Sequence, residues 1–593
     1  MRLSSLYSND NKRFEPIQFR PGLNVVLAQI RDPENRKKDT HNLGKTTLSR
    51  LIDFCLLKKK SNDFFLFRHK ESFKGFVFFL EVHTAHHGLI TVRRSVAEPT
   101  RIAIMRHSSP NQDFAQTRDE EWSHVDVPFE RAKQLLDGLL ELRAVSPWTF
   151  RNALSYSLRV QKDYQDVFQL DKFRGQHETW KPYLAHLLGF DSKPVQQNYE
   201  LDKRLEANQL RERQLRSDLI GLAETPDKIE GVLLIKGQEV AQLENQISGY
   251  NFMIADQSIN KELVDDIEAQ IAQLNERRYY LSVNQRKIEV SLQEKVNFDL
   301  DKIQKLFEES KVYFSNQLKK DYGDLLRFNK EISEERESYL KEELGEISGE
   351  LANIEVELGV LDRKRANALS ALKEKETFSK YKKLNSRLVE FKADIEDLTR
   401  KRNASLELQS KQKQIRELKI EKERIRAEIE SNIQAHNDRY RAIRLFFSEI
   451  IKRTIDRNAV ISTRVNNEGN LEFSAEILND QGGETSQGSG HTYRKLLCIA
   501  FDMALCRAYL EDDYPHFVYH DGILESLDDR KKENLIEELR QYSSYGVQQI
   551  VSVIDSDLPV SPQGARFQFQ PNEVVRTLHD EGESGRLFRM PIW

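Results

Sequence analysis

HNLGKTTL, residues 41–48, has the make-up of a loop that holds phosphate. An apolar run before it, Leu23–Leu27, predicts a strand, and Leu48, Leu51, Ile52, Cys55 and Leu56 follow at helical spacing. In a strand–loop–helix of this kind, backbone N–H groups at the helix N-terminus face an anion. Lys45 would reach the β- and γ-phosphates of a nucleotide, and Thr46 would ligate Mg²⁺. Asn42, Gly44 and Thr47 complete the candidate nucleotide-binding set. The full pattern asks for glycine at position 39, where this chain has Asp39, and the preceding loop, Arg31–Thr40, is long and charged. A lysine at the start of an ordinary helix is the plain alternative.

A partner for this loop lies far along the chain. HFVYHDGILESLD, residues 516–528, reads as a short strand ending at His520-Asp521. A carboxylate at a strand end beside a phosphate loop would hold Mg²⁺, usually through water; an acidic surface turn is the alternative. About 35 residues upstream, TSQGSGHTYRKLLCIAFDMAL (485–505) puts Ser486 and Gly488 just before an apolar helix. A serine and glycine amides there suit anion binding, and equally an ordinary helix cap.

Between these motifs the texture changes. The chain has 593 residues and 15 prolines, about half the usual ~5%, and none falls within residues 227–514. Apolar residues make up 38% and charged residues 31%, against roughly 45–50% and ~25% on average. That excess of charge suits globular ends joined by an elongated, solvated element. Val264, Ile267, Ile271, Leu274, Arg278 and Leu281 step by 3 and 4, as do Leu351, Ile354, Leu358, Leu361, Arg365, Ala368 and Leu372. These are heptad seams and predict a coiled coil. Residues 309–330, rich in aromatics and containing Gly323, are expected to reverse the chain, and Pro226, Gly231, Gly237 and Gly249 to break the first arm. The expected domains are 1–192, 193–445 for the antiparallel hairpin, and 446–593.

The flanks read as mixed α/β. Phe76–Val82 and Leu89–Val92 form one expected hairpin, and Val460–Val465 and Leu471–Ile477 another. Net charge is −4, so no overall basic field announces nucleic acid. Cys55, Cys498 and Cys506 form no CxxC, which fits a reducing cytosol. No apolar run reaches membrane-spanning length, so no membrane association is expected and the chain is placed in the cytoplasm.

The order of these parts resembles that of SMC, RecN and RecF-type ABC ATPases: phosphate loop, coiled-coil hairpin, signature loop, then Walker B strand. It also resembles the bacterial SMC-like proteins of antiphage systems such as Lamassu. The resemblance implies an α/β ABC-type ATPase head assembled from the N- and C-terminal halves, joined by a long antiparallel coiled-coil hairpin. It implies ATP and Mg²⁺ as cofactors and a homodimer through the heads, with Ser486 and Gly488 of one head completing the site of another. Asp528 falls at the D-loop position. Gln161, in SLRVQKDYQDVF (157–168), falls in the Q-loop region as a sensor of Mg²⁺, with Gln165 the alternative; Arg93 or Arg94 falls on the arginine strand, with a charged edge strand as the other possibility.

Two positions depart from the family. The glutamate expected after the Walker B aspartate is Gly522; Glu525 could serve if its loop curls back, and His520 is a second possible proton acceptor. The switch histidine is absent, and Asp555 or Ser556 stands there. Asp521, Glu525 and Lys45 are therefore the expected catalytic set of a slow ATPase, with Thr46, Asp521 and Gln161 at the metal.

The implied function is an ATP-gated sensor or clamp on double-stranded DNA, sequence-independent and nucleoid-associated when bound. It would control a separate effector nuclease with accessory subunits in antiphage defence. RecN-like repair or chromosome maintenance is one alternative, and a structural coiled-coil scaffold with a degenerate site is another. Lys58–Lys60 and Arg36–Lys38 are candidate phosphate contacts. His83, His86 and His87 read as a polar turn.

Overall fold

The computed structural model describes residues 1–31, 43–219, 225–248, 258–293, 316–369, 375–479, 491–561, 563–591 and 593. They divide into two compact units: Met1–Glu206 with Arg416–Trp593, and Ala207–Ile415.

The first unit holds three sheets. β1 (Arg2–Ser8), β2 (Ile17–Gln18), β4 (Val77–His83), β5 (Leu89–Ser95), β6 (Arg101–His107) and β7 (His124–Pro128) form an antiparallel sheet in the order β2-β1-β4-β5-β6-β7. Period-two alternation sends Phe78, Leu80 and Val92 into the main core, while Tyr7, Phe79, Met105 and Trp122 form a small cluster of their own. β8 (Asn458–Val465) and β9 (Leu471–Leu478) make a separate antiparallel hairpin.

The remaining sheet carries the site. β3 (Leu23–Gln29), β10 (Phe517–His520), β11 (Gln548–Ile554) and β12 (Val574–His579) run parallel in the order β10-β11-β3-β12. β3 comes from the start of the chain yet lies between two strands from its end. β10 and β11 are buried at every residue, as parallel strands covered on both faces are.

Helices of this unit include α1 (Lys45–Cys55), α2 (Phe129–Leu140), α3 (Phe150–Ser157) and α4 (His177–Leu187). α5 (Ser192–Asp218) leaves the unit and α9 (Lys375–Gln434) returns to it; α10 (Asp438–Ile455), α11 (His491–Ala508) and α12 (Asp529–Ser544) follow. α1 forms because Leu48, Leu51, Ile52 and Cys55 share its buried face. Its C-terminal carbonyls receive two guanidinium groups, a favourable placement for cations. Arg94 donates to the Phe54 and Lys58 carbonyls at 2.6 and 2.9 Å, and Arg151 to that of Leu56 at 2.8 Å. Arg94 is thus buried as a helix cap, on a strand with neighbours on both sides and not on an edge. Its neighbour Arg93 pairs with Asp119 at 2.7 Å and covers the Trp122 ring.

The second unit is helical, with α6 (Pro226–Ser248), α7 (Ser258–Gln293), α8 (Asn316–Leu369) and parts of α5 and α9. The two heptad seams meet: Ile267 and Ile271 of α7 bury against Ile354 and Leu358 of α8, flanked by Leu274, Leu281 and Leu361. Arg365, the polar step in the second seam, is buried and pairs with Glu268 at 3.2 Å. Pairs at 211–407, 236–394, 268–365 and 277–350 rise on one side as they fall on the other, so facing helices run antiparallel.

Two sequence expectations need correction here. Gly231 and Gly237 lie inside α6 and break nothing; the break expected at Pro226 is present, since α5 ends at Asp218 and Pro226 is the first residue of α6, where the missing N–H costs nothing. Gly323 lies within α8, so the expected reversal does not include residues 316–330. Residues 309–315, with Tyr313 and Phe314, and Gly249 and Leu372 fall outside the described residues.

Candidate nucleotide site

At the start of α1, Gly44 takes φ +99°, a left-handed conformation that favours glycine. A Cβ there would also stand 2.7 Å from that of Leu587, whose N–H bonds the Leu43 carbonyl at 3.1 Å. The first-turn N–H groups of α1, which belong to Lys45, Thr46 and Thr47, have no partner within the helix. Asn42 lies outside the described residues, as do Asp39 and Arg36–Lys38.

Residues 475 positions apart in sequence meet at this turn. Thr46 Oγ1 donates to Asp521 Oδ2 at 2.6 Å. Asp521 follows β10 directly, and strand alternation puts Tyr519 on the same side, where its hydroxyl donates to the Lys45 carbonyl at 2.9 Å. Ser552 of β11 donates to the other Asp521 oxygen and accepts from the Gly522 N–H at 3.0 Å. The Asp521 N–H donates to the Tyr164 hydroxyl at 3.2 Å. Asp521 thereby has fixed orientation, and two hard oxygen ligands, from Thr46 and Asp521, converge beside a buried lysine. That donor set fits hydrated Mg²⁺ beside phosphate.

The same alternation removes His520 from the site. It points to the opposite face, fully buried, with Nε2 3.1 Å from Asp502 on α11. Asp502 is held bidentately by the equally buried Arg159 at 2.7 and 2.8 Å. Burial lowers the His520 pKa and keeps the ring neutral. His520 is therefore part of a strut between β10 and α11, not a proton acceptor at the phosphate.

Glu525 takes the place that Gly522 leaves empty. Gly522 has φ +61° and Ser526 φ +65°, and the turn between them folds Glu525 back. Its carboxylate oxygen lies 2.3 Å from where a Gly522 Cβ would be. Lys495 of α11 donates to Glu525 Oε2 at 3.0 Å and to the Gly522 carbonyl. Burial lowers the Lys45 pKa, against the opposing charges of Asp521, Glu525 and Asp557. Burial likewise raises that of Asp557, aided by Glu525.

Other expected residues stand elsewhere. Gln161 is exposed on the short 3₁₀ turn Gln161–Gln165, from which Tyr164, not Gln161, reaches Asp521. Gln165 accepts from Arg174 at 2.7 Å. Asp528 is the N-cap of α12, accepting from the Lys531 N–H at 3.1 Å and pairing with its ammonium at 2.6 Å. Asp555 accepts from the Ile30 N–H at 3.3 Å, so Asp557 is the acid of this turn that shares the field of Lys45. Lys58 is paired with Asp53 at 2.6 Å. Ser486 and Gly488 lie outside the described residues.

Tyr164, Lys495, Ser552 and Asp557 were not among the residues read from sequence. They come from three segments distant from Asp521 in sequence or separated from it by a helix, with Ser552 and Asp557 both on β11 and the turn after it, and only tertiary structure brings them to this turn. Ser552, inside the run Ile550–Ile554, was the one with a visible signal: a lone small polar residue among apolar ones.

Among the described residues, no group of three or more His, Cys, Asp or Glu stands together as a metal cage, and no helix is long and apolar enough to cross a membrane.

A family model described as "Uncharacterised protein conserved in bacteria (DUF2326)" matches residues 448–592. No curated protein matches the chain. Among solved structures, the chain is similar to an Smc head domain with a coiled coil and joint from Pyrococcus yayanosii, at 16% identity over 93% of this chain and 92% of that one, with a TM-score of 0.34. It is also similar to an Smc head domain with an extended coiled coil, bound to the C-terminal domain of ScpA, from Pyrococcus furiosus; identity is 12% over 94% and 90% of the two chains, with a TM-score of 0.28.

Proposed function

We propose that the chain binds and slowly hydrolyses ATP in a head of the SMC-like ABC type. The observation that carries this reading is the 2.6 Å hydrogen bond between Thr46 and Asp521, formed beside the buried Lys45. A scaffold has no use for a buried lysine in the field of three carboxyl groups from a distant segment.

In this reading the α1 amides and Lys45 hold the phosphates, Thr46 would ligate Mg²⁺, and Asp521 would hold it through water. When bound, Mg²⁺ supplies neutralisation of phosphate charge. Ser552 and Tyr164 keep Asp521 aimed. Glu525 orients and accepts a proton from the attacking water, in place of a glutamate at position 522. Asn42, Thr47, Gln161, Ser486, Gly488 and Asp528 belong to the proposal as contacts to nucleotide from this head or a second one. Domain limits of 1–192, 193–445 and 446–593 go with it.

ATP would draw two heads together and close the dimer on double-stranded DNA, with a separate effector nuclease and accessory subunits reading the closed state in antiphage defence. This part rests on the order of motifs along the chain. The test is nucleotide binding and turnover in wild type, Lys45→Ala and Glu525→Gln. Lys45→Ala is expected to lose ATP binding, and with it head dimerisation and DNA retention. Glu525→Gln is expected to bind ATP and turn over roughly 10²-fold or more slowly. Normal ATP-dependent dimerisation by Lys45→Ala would sink the clamp; unchanged hydrolysis by Glu525→Gln would remove Glu525 as the base.

A further inference from the structure

Lys495 is a buried charge that the nucleotide reading leaves without a task. It lies in the second turn of α11 at 4% exposure, and lysine is almost never buried so far without a partner. Its ammonium has two acceptors, the Gly522 carbonyl and Glu525 Oε2, the latter at 3.0 Å. It also lies 5.2 Å from the centre of the Tyr164 ring, whose hydroxyl accepts from the Asp521 N–H. One cation therefore grips both ends of the turn that folds Glu525 back, and touches the side chain that supports Asp521.

The grip has a physical purpose. The Glu525 side chain is 26% exposed, and the rotamer freedom of an unheld glutamate favours leaving for solvent. The 522–525 turn has a backbone bond of its own, from the Glu525 N–H to the Gly522 carbonyl, but at 3.3 Å it is long. Neither feature holds a carboxylate over the place of a missing side chain. A charge-assisted bond from a buried ammonium does.

We propose that Lys495 is the positioning residue for Glu525: a cation on α11 that substitutes for the rigid backbone attachment a glutamate at position 522 would have had. This rests on Glu525 being the water-activating group. It assigns α11 a role in hydrolysis through a residue that need not touch nucleotide.

The charge can be separated from the fold. Lys495→Gln keeps a donor for the Gly522 carbonyl and removes the charge facing Glu525, whereas Lys495→Arg keeps the charge. ATP binding, with a fluorescent ATP analogue, and single-turnover hydrolysis are measured on the full chain for both variants, Glu525→Gln and Lys495→Gln/Glu525→Gln. Lys495→Gln is expected to bind within about three-fold of wild type and hydrolyse about ten-fold or more slowly, and Lys495→Arg to stay within about three-fold in both. The double variant is expected to be no more than about two-fold slower than Glu525→Gln, since residues acting through one group do not add. Wild-type hydrolysis by Lys495→Gln, or multiplying losses in the double variant, overturns the inference and leaves the nucleotide reading standing. Should Lys495→Gln fail to fold, a large loss in a folded Lys495→Arg overturns it as well. A wild-type chain that binds no ATP overturns the nucleotide reading, and the inference with it.

Discussion

At the residue scale, the proposed site turns on a substitution of position. In that proposal the carboxylate expected one residue after Asp521 comes from four residues after it, and the turn that places Glu525 there depends on Gly522. Its φ of +61° costs other residues roughly 1–2 kcal/mol, and any Cβ would collide with the Glu525 carboxylate. Gly522→Ala is therefore expected to expel Glu525 while leaving the Thr46–Asp521 pair in place. ATP affinity should hold and kcat should fall by about ten-fold or more; a loss of affinity with unchanged kcat would contradict this geometry. Gly44, Lys45, Thr46, Asp521 and Glu525 were legible in sequence because short-range spacing carries them. Lys495, Tyr164, Ser552 and Asp557 were not, since each is brought to the turn by packing between distant segments.

At the element scale, α1 must be held still if its first turn is to hold phosphate, and it is held from its far end. Beyond the two guanidinium groups on its last carbonyls, Asp53 ties it to α3 through Arg151 at 2.7 Å and to Lys58 at 2.6 Å. Burial acts to raise the Asp53 carboxyl, but Arg151 and Lys58 outweigh it and hold the group well below the usual carboxylate range. A carboxyl lowered on folding stabilises the fold above its unfolded pKa of ~3.9, and that contribution is lost as pH falls through the folded value. Asp53→Asn is expected to cost about 2–3 kcal/mol at pH 7, below the ~3–5 kcal/mol of a fully buried pair because Lys58 is half exposed. Thermal melts of wild type and variant should differ most at neutral pH and converge below pH ~4. A gap that widens in acid would reverse the sign argued here. Hairpins and heptad seams were legible at this scale because periods of 2 and 3.5 are local. Gly231, Gly237 and Gly323 misled because a glycine inside a long amphipathic helix costs only ~1 kcal/mol, which the surrounding helix outweighs.

At the scale of the whole molecule, the unit that carries the site cannot be cut from either end of the chain alone. β3 from the N-terminal segment sits between β11 and β12 from the C-terminal segment, paired along Leu23–Ala28 with Gln549–Ile554 on one side and along Val25–Gln29 with Val574–His579 on the other. Its main core runs from Val25, Leu48 and Ile52 to Tyr519, Leu535 and Val553. Withdrawing the C-terminal segment would strip β3 of both its partners, and withdrawing the N-terminal segment would cut β12 off from β11 and β10; either leaves rows of unpaired backbone groups. Neither half is thus expected to fold alone, and the covalent link through Ala207–Ile415 is not what holds them together. Residues 1–206 and 416–593, expressed as two chains in one cell, should purify as a one-to-one complex that keeps β3 between its neighbours. Each expressed alone should be insoluble or proteolysed. Size-exclusion chromatography with mass determination decides the matter: a soluble, folded N-terminal half on its own would mean that β3 does not depend on the strands that flank it.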